Sequence, residues 1–257
     1  ILELVKLYNS DQTSYYRSSE VEAVIHKALN YWFTAKPVCL NWWYNQIGIP
    51  KTLGTVFILF EKQLTPVEKQ NAITVMENAK FGMTGQNKVW LAGNVMMRAL
   101  LQNDYELVKM ARDTIASEIV TGGAEGIKDD WCFHQHGAQQ QFGNYGLSFV
   151  SGMSFFSGLF SGTSLAFDDK QLSILSTLID KGYRWVIWKG MMDVNALGRQ
   201  LFHHAPVHKA LSLAFAASEL GGGESDECMA VATALFRDNY PAPAVNVLSL
   251  IHISEPT

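Results

Sequence analysis

Apolar residues recur at helical spacing along almost the whole chain, and polar segments carrying helix-starting residues cut that pattern into pieces. Ser18 with Glu20 and Glu22 opens the first clear piece, and Val21, Val24, Ile25, Leu29 and Trp32 follow it. Thr65-Pro66 supplies an N-cap and a proline at the first helical position, ahead of Ile73, Val75, Met76 and Ala79. The same spacing predicts helices over 87–101, over 105–120 with Asp104 as cap, and over 168–179 through Leu172, Leu175, Leu178 and Ile179. Two more are predicted over 207–220 and 225–236. No alternating apolar–polar run bounded by turn dipeptides competes with them. Successive helices joined by Gly-, Asn- and Asp-rich loops make the expected fold all-α, with antiparallel helical hairpins in a bundle or a toroid.

The length of 257 residues suits one large domain or two small ones. Charged residues make up only 17% and hydrophobic ones 48%. Against a usual charged share of about 25%, either much of the chain is buried or its surface is poor in charge. Disordered and fibrous classes are excluded. A net charge of −4 argues against a nucleic-acid partner, while a local cluster of cations still allows an acidic ligand. Seven Trp and nine Tyr suit core packing and also stacking on sugar faces. The uncharged stretch Tyr145–Phe167 has the length of a membrane span of about 20 residues. Its Ser148, Ser151, Ser154, Ser157, Gly152, Gly158 and Gly162 favour instead a buried inner helix, so no membrane span is expected. Cys39, Cys132 and Cys228 lack metal-ligand spacing, and their odd number argues against a dense disulfide framework. The chain starts at Ile1 without a signal peptide, and its last residues continue no periodic pattern. The expected organisation is a helical domain over 1–248, cut from a longer reading frame at both ends, with 249–257 as a non-native tail.

Four segments place polar residues where a purely structural helix would not. They are Asn41-Trp42-Trp43-Tyr44-Asn45-Gln46-Ile47-Gly48-Ile49-Pro50, Thr84-Gly85-Gln86-Asn87, His134-Gln135-His136-Gly137 with Asn144-Tyr145-Gly146, and Asp193 to Arg199 with His203-His204. Each has a plainer explanation. Adjacent Trp residues cannot share one helix face; taken alone the pair reads as two core tryptophans, with one in the core and one lining a cleft as the alternative. Asn87 stands near a helix start and suits an N-cap. His134 and His136 fall on different faces of a helix. His204 and His208 share one, but no acidic residue lies between them and no HExxH is present, so no metal site is expected. Arg199 alone reads as a surface cation.

As an ordered set the segments resemble the catalytic helical domain of polysaccharide lyase family 8, which includes hyaluronate, chondroitin AC and xanthan lyases. The resemblance rests on Asn41-Trp42-Trp43 with Ile47-Gly48-Ile49-Pro50, Thr84-Gly85-Gln86-Asn87, Gln135-His136-Gly137 with Tyr145-Gly146, and Gly198-Arg199. It runs from about residue 20 to about residue 245. It implies an incomplete (α/α) toroid with a long cleft, followed by β-sandwich domains that this chain does not include. It also implies a secreted or periplasmic, monomeric enzyme without a cofactor, acting on an acidic polysaccharide.

The implied reaction is β-elimination on a uronic-acid-containing glycan. A base takes the proton on C5, the leaving oxygen departs from C4, and an unsaturated uronide forms without consuming water. Charge building beside the uronate carboxylate needs hydrogen-bond donors in a site shielded from water. The resemblance assigns that task to Asn87 with His136 beside it. Tyr145 is the implied base, and also the acid that protonates the leaving oxygen; His136 as base with Tyr145 as acid is the alternative. A free Tyr has a pKa near 10 and needs a neighbouring cation to serve at neutral pH, and Arg199 is the natural supplier. Asn41, Trp42 and Trp43 correspond to an aromatic patch that stacks on sugar rings, with Trp131 and Trp90 as weaker candidates. The family pattern carries a second Arg four residues after the first. Here that position is His203, which cannot reproduce a guanidinium fork, so the polymer stays open. A family glutamate lies further along than this chain reaches. Two other functions compete: a glycan-binding helical module without turnover, and a helical-toroid glycoside hydrolase. The hydrolase would need a carboxylate pair, for which only Asp129, Asp130 and Asp193 are near. The 257 residues by themselves are expected to be poorly soluble and weakly active or inactive.

Overall fold

A computed structural model describes residues 1–221 and 226–239. The proposed tail at 249–257 lies outside them. Most described residues are helical, and the chain divides into two compact units, Ile1–Met83 with Trp90–Ile115, and Thr84–Val89 with the chain from Ala116.

The first unit holds α1 (Leu2–Asn9), α2 (Ser19–Ala35), α3 (Ile49–Leu59), α4 (Pro66–Met76), α5 (Gly85–Gln102) from Trp90 onward, and α6 (Tyr105–Ala116) up to Ile115. Local signals place these ends. The Ser18 side chain accepts from the Val21 N–H, and Thr65 and Glu68 cap α4 reciprocally. Asp104 accepts from the Leu107 N–H at 3.0 Å. The core gathers Val5, Ile25, Leu29, Val56, Phe57, Phe60, Met76 and Leu101. Glu68 is buried at the edge of this core, where His26 and Asn30 hold its carboxylate at 2.8 and 3.0 Å.

The second unit holds α7 (Leu147–Phe160), α8 (Asp169–Thr177), α9 (Ala205–Gly221) and α10 (Asp226–Asn239). Asp168 caps α8 reciprocally with Gln171. α9 packs on α7 and α10, and at the first contact the buried Ser154 hydroxyl donates to the Ala216 carbonyl at 3.0 Å. Two short hairpins complete it. β1 (Gly126–Ile127) pairs antiparallel with β2 (Phe133–His134), and β3 (Ile187–Trp188) with β4 (Met191–Met192). Strands of two residues are too short to show a period of two, so the sequence pattern does not reveal them.

Two expectations need correction. The helix after Asp104 stops at Ala116 rather than Val120, and the chain then turns into the first hairpin. The uncharged stretch is α-helical only over Leu147–Phe160, and it is not an inner helix buried all round. Phe149, Val150, Met153 and Ser154 face the core, while Phe155 is 60% exposed and Leu159 54%. Ser154 serves a helix contact, but a side chain at Gly152 or Gly162 would meet open space, so those glycines are not there for close packing. No helix among the described residues is long and apolar enough to cross a membrane.

Candidate active site

Tyr145 sits in a π-helical turn, Phe142–Gly146, that leads into α7. Such turns widen a helix by one residue and are frequent at functional sites. Two glycines let this one lie close to its surroundings. A Cβ at Gly146 would stand 2.6 Å from the Tyr183 hydroxyl, and one at Gly143 would stand 2.7 Å from the Leu197 Cα. Tyr183 is fully buried and donates to the Phe142 carbonyl at 3.0 Å; burial pushes its phenol well above its ordinary value. It is a brace. Tyr145 is only 5% exposed, but its phenol oxygen accepts from Arg199 Nη2 at 3.0 Å. The guanidinium carbon lies 5.7 Å from the Tyr145 ring centre, and the His136 ring stands edge-on at 4.9 Å and 70°. Asp193 caps the 3₁₀ turn Val194–Ala196 ahead of Arg199, and Gly198 (φ +65°) then makes a left-handed bend that other residues resist.

His136 and Gly137 both have left-handed backbone, φ +60° and +74°. His136 is therefore in a bend and not on a helix, and it faces solvent. Glu125 ties this bend to the start of α5. It accepts from the Gly137 N–H at 3.0 Å, from the Thr84 hydroxyl at 2.5 Å and from the Gln135 amide. Gln135 in turn accepts from the Gln86 N–H at 2.9 Å. At the same helix start Glu118 accepts from the Gly85 N–H at 2.7 Å and pairs with Lys88 at 2.9 Å, a carboxylate where the helix dipole favours one. Asn87 lies inside the first turn of α5, which begins at Gly85, so it is not the N-cap. It is 7% exposed, and its Oδ1 has no hydrogen-bond partner in the protein. The same holds for both amide atoms of Gln86, for Gln141 Oε1 and for Asn144 Nδ2. Buried polar atoms are almost always paired, so the unpaired amides at 86–87 and at 141 and 144 stand out.

The tryptophan segment belongs to the first unit. Asn41 accepts from the Trp43 N–H at 3.0 Å, and a π-helical turn over Tyr44–Gly48 follows. Trp43 packs edge-on against Trp90 at 5.5 Å and Tyr44 at 5.4 Å. Gly48 makes room for it, since a Cβ there would stand 2.7 Å from the indole. Trp42 is 45% exposed, so the pair is not two core tryptophans; the rings divide between packing and solvent. Trp43 and Tyr44 also line a cavity of about 510 Å³ with Trp32 and Lys51, whose ammonium burial pushes below its ordinary value.

Trp131 and His203, the other expected residues, make different contacts. Trp131 is at the tip of the β1–β2 hairpin in left-handed backbone, its carbonyl against Gly182. His203 is exposed before α9, its ring 3.7 Å from His204, with His208 a further 6.3 Å from His204. Among the described residues no group of three or more His, Cys, Asp or Glu is placed to hold a metal. Asp130 and Asp193 spend an oxygen on turn N–H groups, those of Cys132 and Asn195, and the Asp129 carboxylate lies near Gly122. Glu125, Tyr183 and Lys209 escaped the sequence reading, because their roles rest on contacts with distant residues.

Comparison with known proteins places the chain. The sequence model of polysaccharide lyase family 8, N-terminal α-helical domain, matches residues 1–218. Chondroitinase-AC of Pedobacter heparinus is 30% identical over 201 residues, covering 76% of this chain and 29% of that protein. Xanthan lyase of Bacillus sp. is 26% identical over 201 residues, covering 74% of this chain and 22% of that one. Among solved structures, the chondroitinase AC lyase whose oligosaccharide complexes revealed its active site aligns with a TM-score of 0.80 at 26% identity, over 94% of this chain and 37% of that one. The chain thus spans less than a third of the length of these curated relatives. The helical fold class expected from the sequence holds, and the chain belongs to polysaccharide lyase family 8.

Proposed function

We propose that this member of polysaccharide lyase family 8 is the helical part of an enzyme that cleaves a uronic-acid-containing glycan by β-elimination. One observation carries the reading: a buried phenol, Tyr145, with the Arg199 guanidinium 3.0 Å from its oxygen and the His136 ring beside it. The relatives named for chondroitin and xanthan cleavage support the substrate class.

Tyr145, as its phenolate, takes the C5 proton, the C5–H electron pair becomes the C4–C5 double bond, and the C4–O bond breaks with its electron pair on the leaving oxygen. The phenol then returns the proton to the leaving oxygen. Arg199 stabilises the negative charge on the Tyr145 oxygen before it takes the proton and after it gives it up, as a charge held in place beforehand. Asn87 and His136 meet the uronate carboxylate as negative charge builds beside it. Asn41, Trp42 and Trp43 stack on the polymer, with Trp131 and His203 as further contacts. Asp130 and Asp193, two of the carboxylates the sequence offered for a hydrolase, already cap turns, which disfavours a carboxylate pair built on them. On this reading residues 1–248 form the helical domain, β-sandwich domains follow, and the full protein is a secreted or periplasmic monomer.

The test is the full-length parent protein with hyaluronan, chondroitin or xanthan, followed by the ultraviolet absorbance of the unsaturated uronide. General acid–base groups contribute about 10² to 10⁴-fold, so Tyr145→Phe should lose activity on that scale. No product from any of the three polymers, or full activity in Tyr145→Phe, overturns the proposal.

A further inference from the structure

Lys209 is the fifth residue of α9 and is 6% exposed. Its ammonium donates to the Gly143 carbonyl and, at 2.6 Å, to Gln200 Oε1. Among the described residues no carboxylate pairs with it; the Phe202 ring lies 5.7 Å away. Burial pushes the ammonium below its ordinary value. A buried cation without an anionic partner is costly, and an apolar side chain of similar length would be the more stable choice. Stability alone therefore does not account for it.

Its two partners do. Gly143 is two residues before Tyr145 in the π-helical turn, and Gln200 immediately follows Arg199. The two segments also meet at Gly143, where a Cβ would stand 2.7 Å from the Leu197 Cα and 2.8 Å from the Ala196 carbonyl. We infer that Lys209 is a positioning residue that fastens the Tyr145 turn to the Arg199 loop and so sets the Tyr145–Arg199 hydrogen bond. This deepens the lyase reading and rests on it for its catalytic consequence. Lys209 touches neither Tyr145 nor Arg199 through its ammonium. It acts by fixing the backbone of one segment against the side chain of the other.

The experiment uses the full-length parent protein and the variants Lys209→Met, Lys209→Arg, Arg199→Ala, the double variant Lys209→Met/Arg199→Ala, and Gln200→Ala. A misplacement of about 1 Å in a reacting pair costs about 10²-fold, so Lys209→Met should lower kcat on that scale. KM should move less than kcat, and the thermal transition should stay or rise. Lys209→Arg should recover part of the loss. On the Arg199→Ala background, Lys209→Met should cost little more. Gln200→Ala removes one tie at the surface and should give a smaller loss in the same direction; it decides the matter if Lys209→Met fails to fold. Additive losses, unchanged kcat in Lys209→Met, or a loss matched by a fallen thermal transition overturn the inference. A crystal structure of Lys209→Met separates this from the lyase reading. A Tyr145–Arg199 separation beyond hydrogen-bond distance supports the positioning role even if no polymer is cleaved, and an unchanged separation overturns it even if one is.

Discussion

Arg199→Ala is the substitution that most directly probes the site. Its Nη2 donates to the Tyr145 oxygen at 3.0 Å. A hydrogen bond from a charged donor contributes about 1.5–3 kcal/mol. Arg199 is exposed, so solvent screens it, and the lower end of about 1.5–2 kcal/mol applies. At 1.36 kcal/mol per factor of ten, that is about a 10- to 30-fold fall in kcat. Arg199→Lys should recover little of it, because an ammonium on a different stem cannot repeat the geometry of the planar fork. The assay is initial-rate kinetics on the polymer that the parent cleaves, with Arg199→Ala, Tyr145→Phe and both together. If the guanidinium acts through the phenol, its removal should cost almost nothing once Tyr145 is Phe. Independent, additive losses, or a loss seen in KM alone, would show that Arg199 only grips substrate.

Glu125 holds both the His136 bend and the Thr84 end of α5 through three hydrogen bonds. Glu125→Gln should cost about 1–3 kcal/mol of stability and reduce turnover, seen by thermal melting and rate; an unchanged melt would refute the latch. Trp42→Ala should raise KM for the polymer without shifting the melt, while Trp43→Ala should lower the melt, since Trp43 packs on Trp90 and Tyr44 and Trp42 is 45% exposed. Burial pushes the Glu68 carboxyl up, but hydrogen bonds from the Thr65 N–H, His26 and the Thr65 hydroxyl more than reverse this and hold it below its ordinary value. A depressed carboxyl contributes stability above its unfolded value and loses it as pH falls through the folded one. Denaturant melts should therefore weaken below about pH 4.3, and Glu68→Gln should flatten that decline.

Helix starts were legible because caps are local. Ser18, Thr65, Asp104 and Asp168 each accept from an N–H three residues on, so the signal and its partner lie in the same short window. Of the candidate site, the contact between Tyr145 and Arg199 follows the expectation. What supports those residues was not legible. The Thr84–Glu125 bond spans 41 positions and the Lys209–Gly143 bond 66, and no spacing rule reaches that far. Lys209 reads in the sequence as an ordinary cation on the polar side of a helix. The π-helical turn at Phe142–Gly146 was hidden for a different reason: its glycines look like loop residues until Tyr183 and Leu197 are seen pressed against them.

Among the described residues, the unpaired buried amide atoms all lie in the second unit, on Gln86, Asn87, Gln141 and Asn144, and Lys209 is a buried cation of the same unit. An unpaired buried polar group costs about 1–3 kcal/mol, so folding stability alone would select against such groups. That gives a test of what they are for. Replacing the Asn87 amide by an apolar side chain of similar size, Asn87→Leu, removes the unpaired oxygen. If the amide is kept for substrate, the melt should rise by about 2–4 °C per kcal/mol recovered while turnover falls. If the amide is structural, the melt should fall together with the rate. A rise in stability at the expense of turnover would place Asn87 among the groups that meet the uronate, by an argument independent of any resemblance.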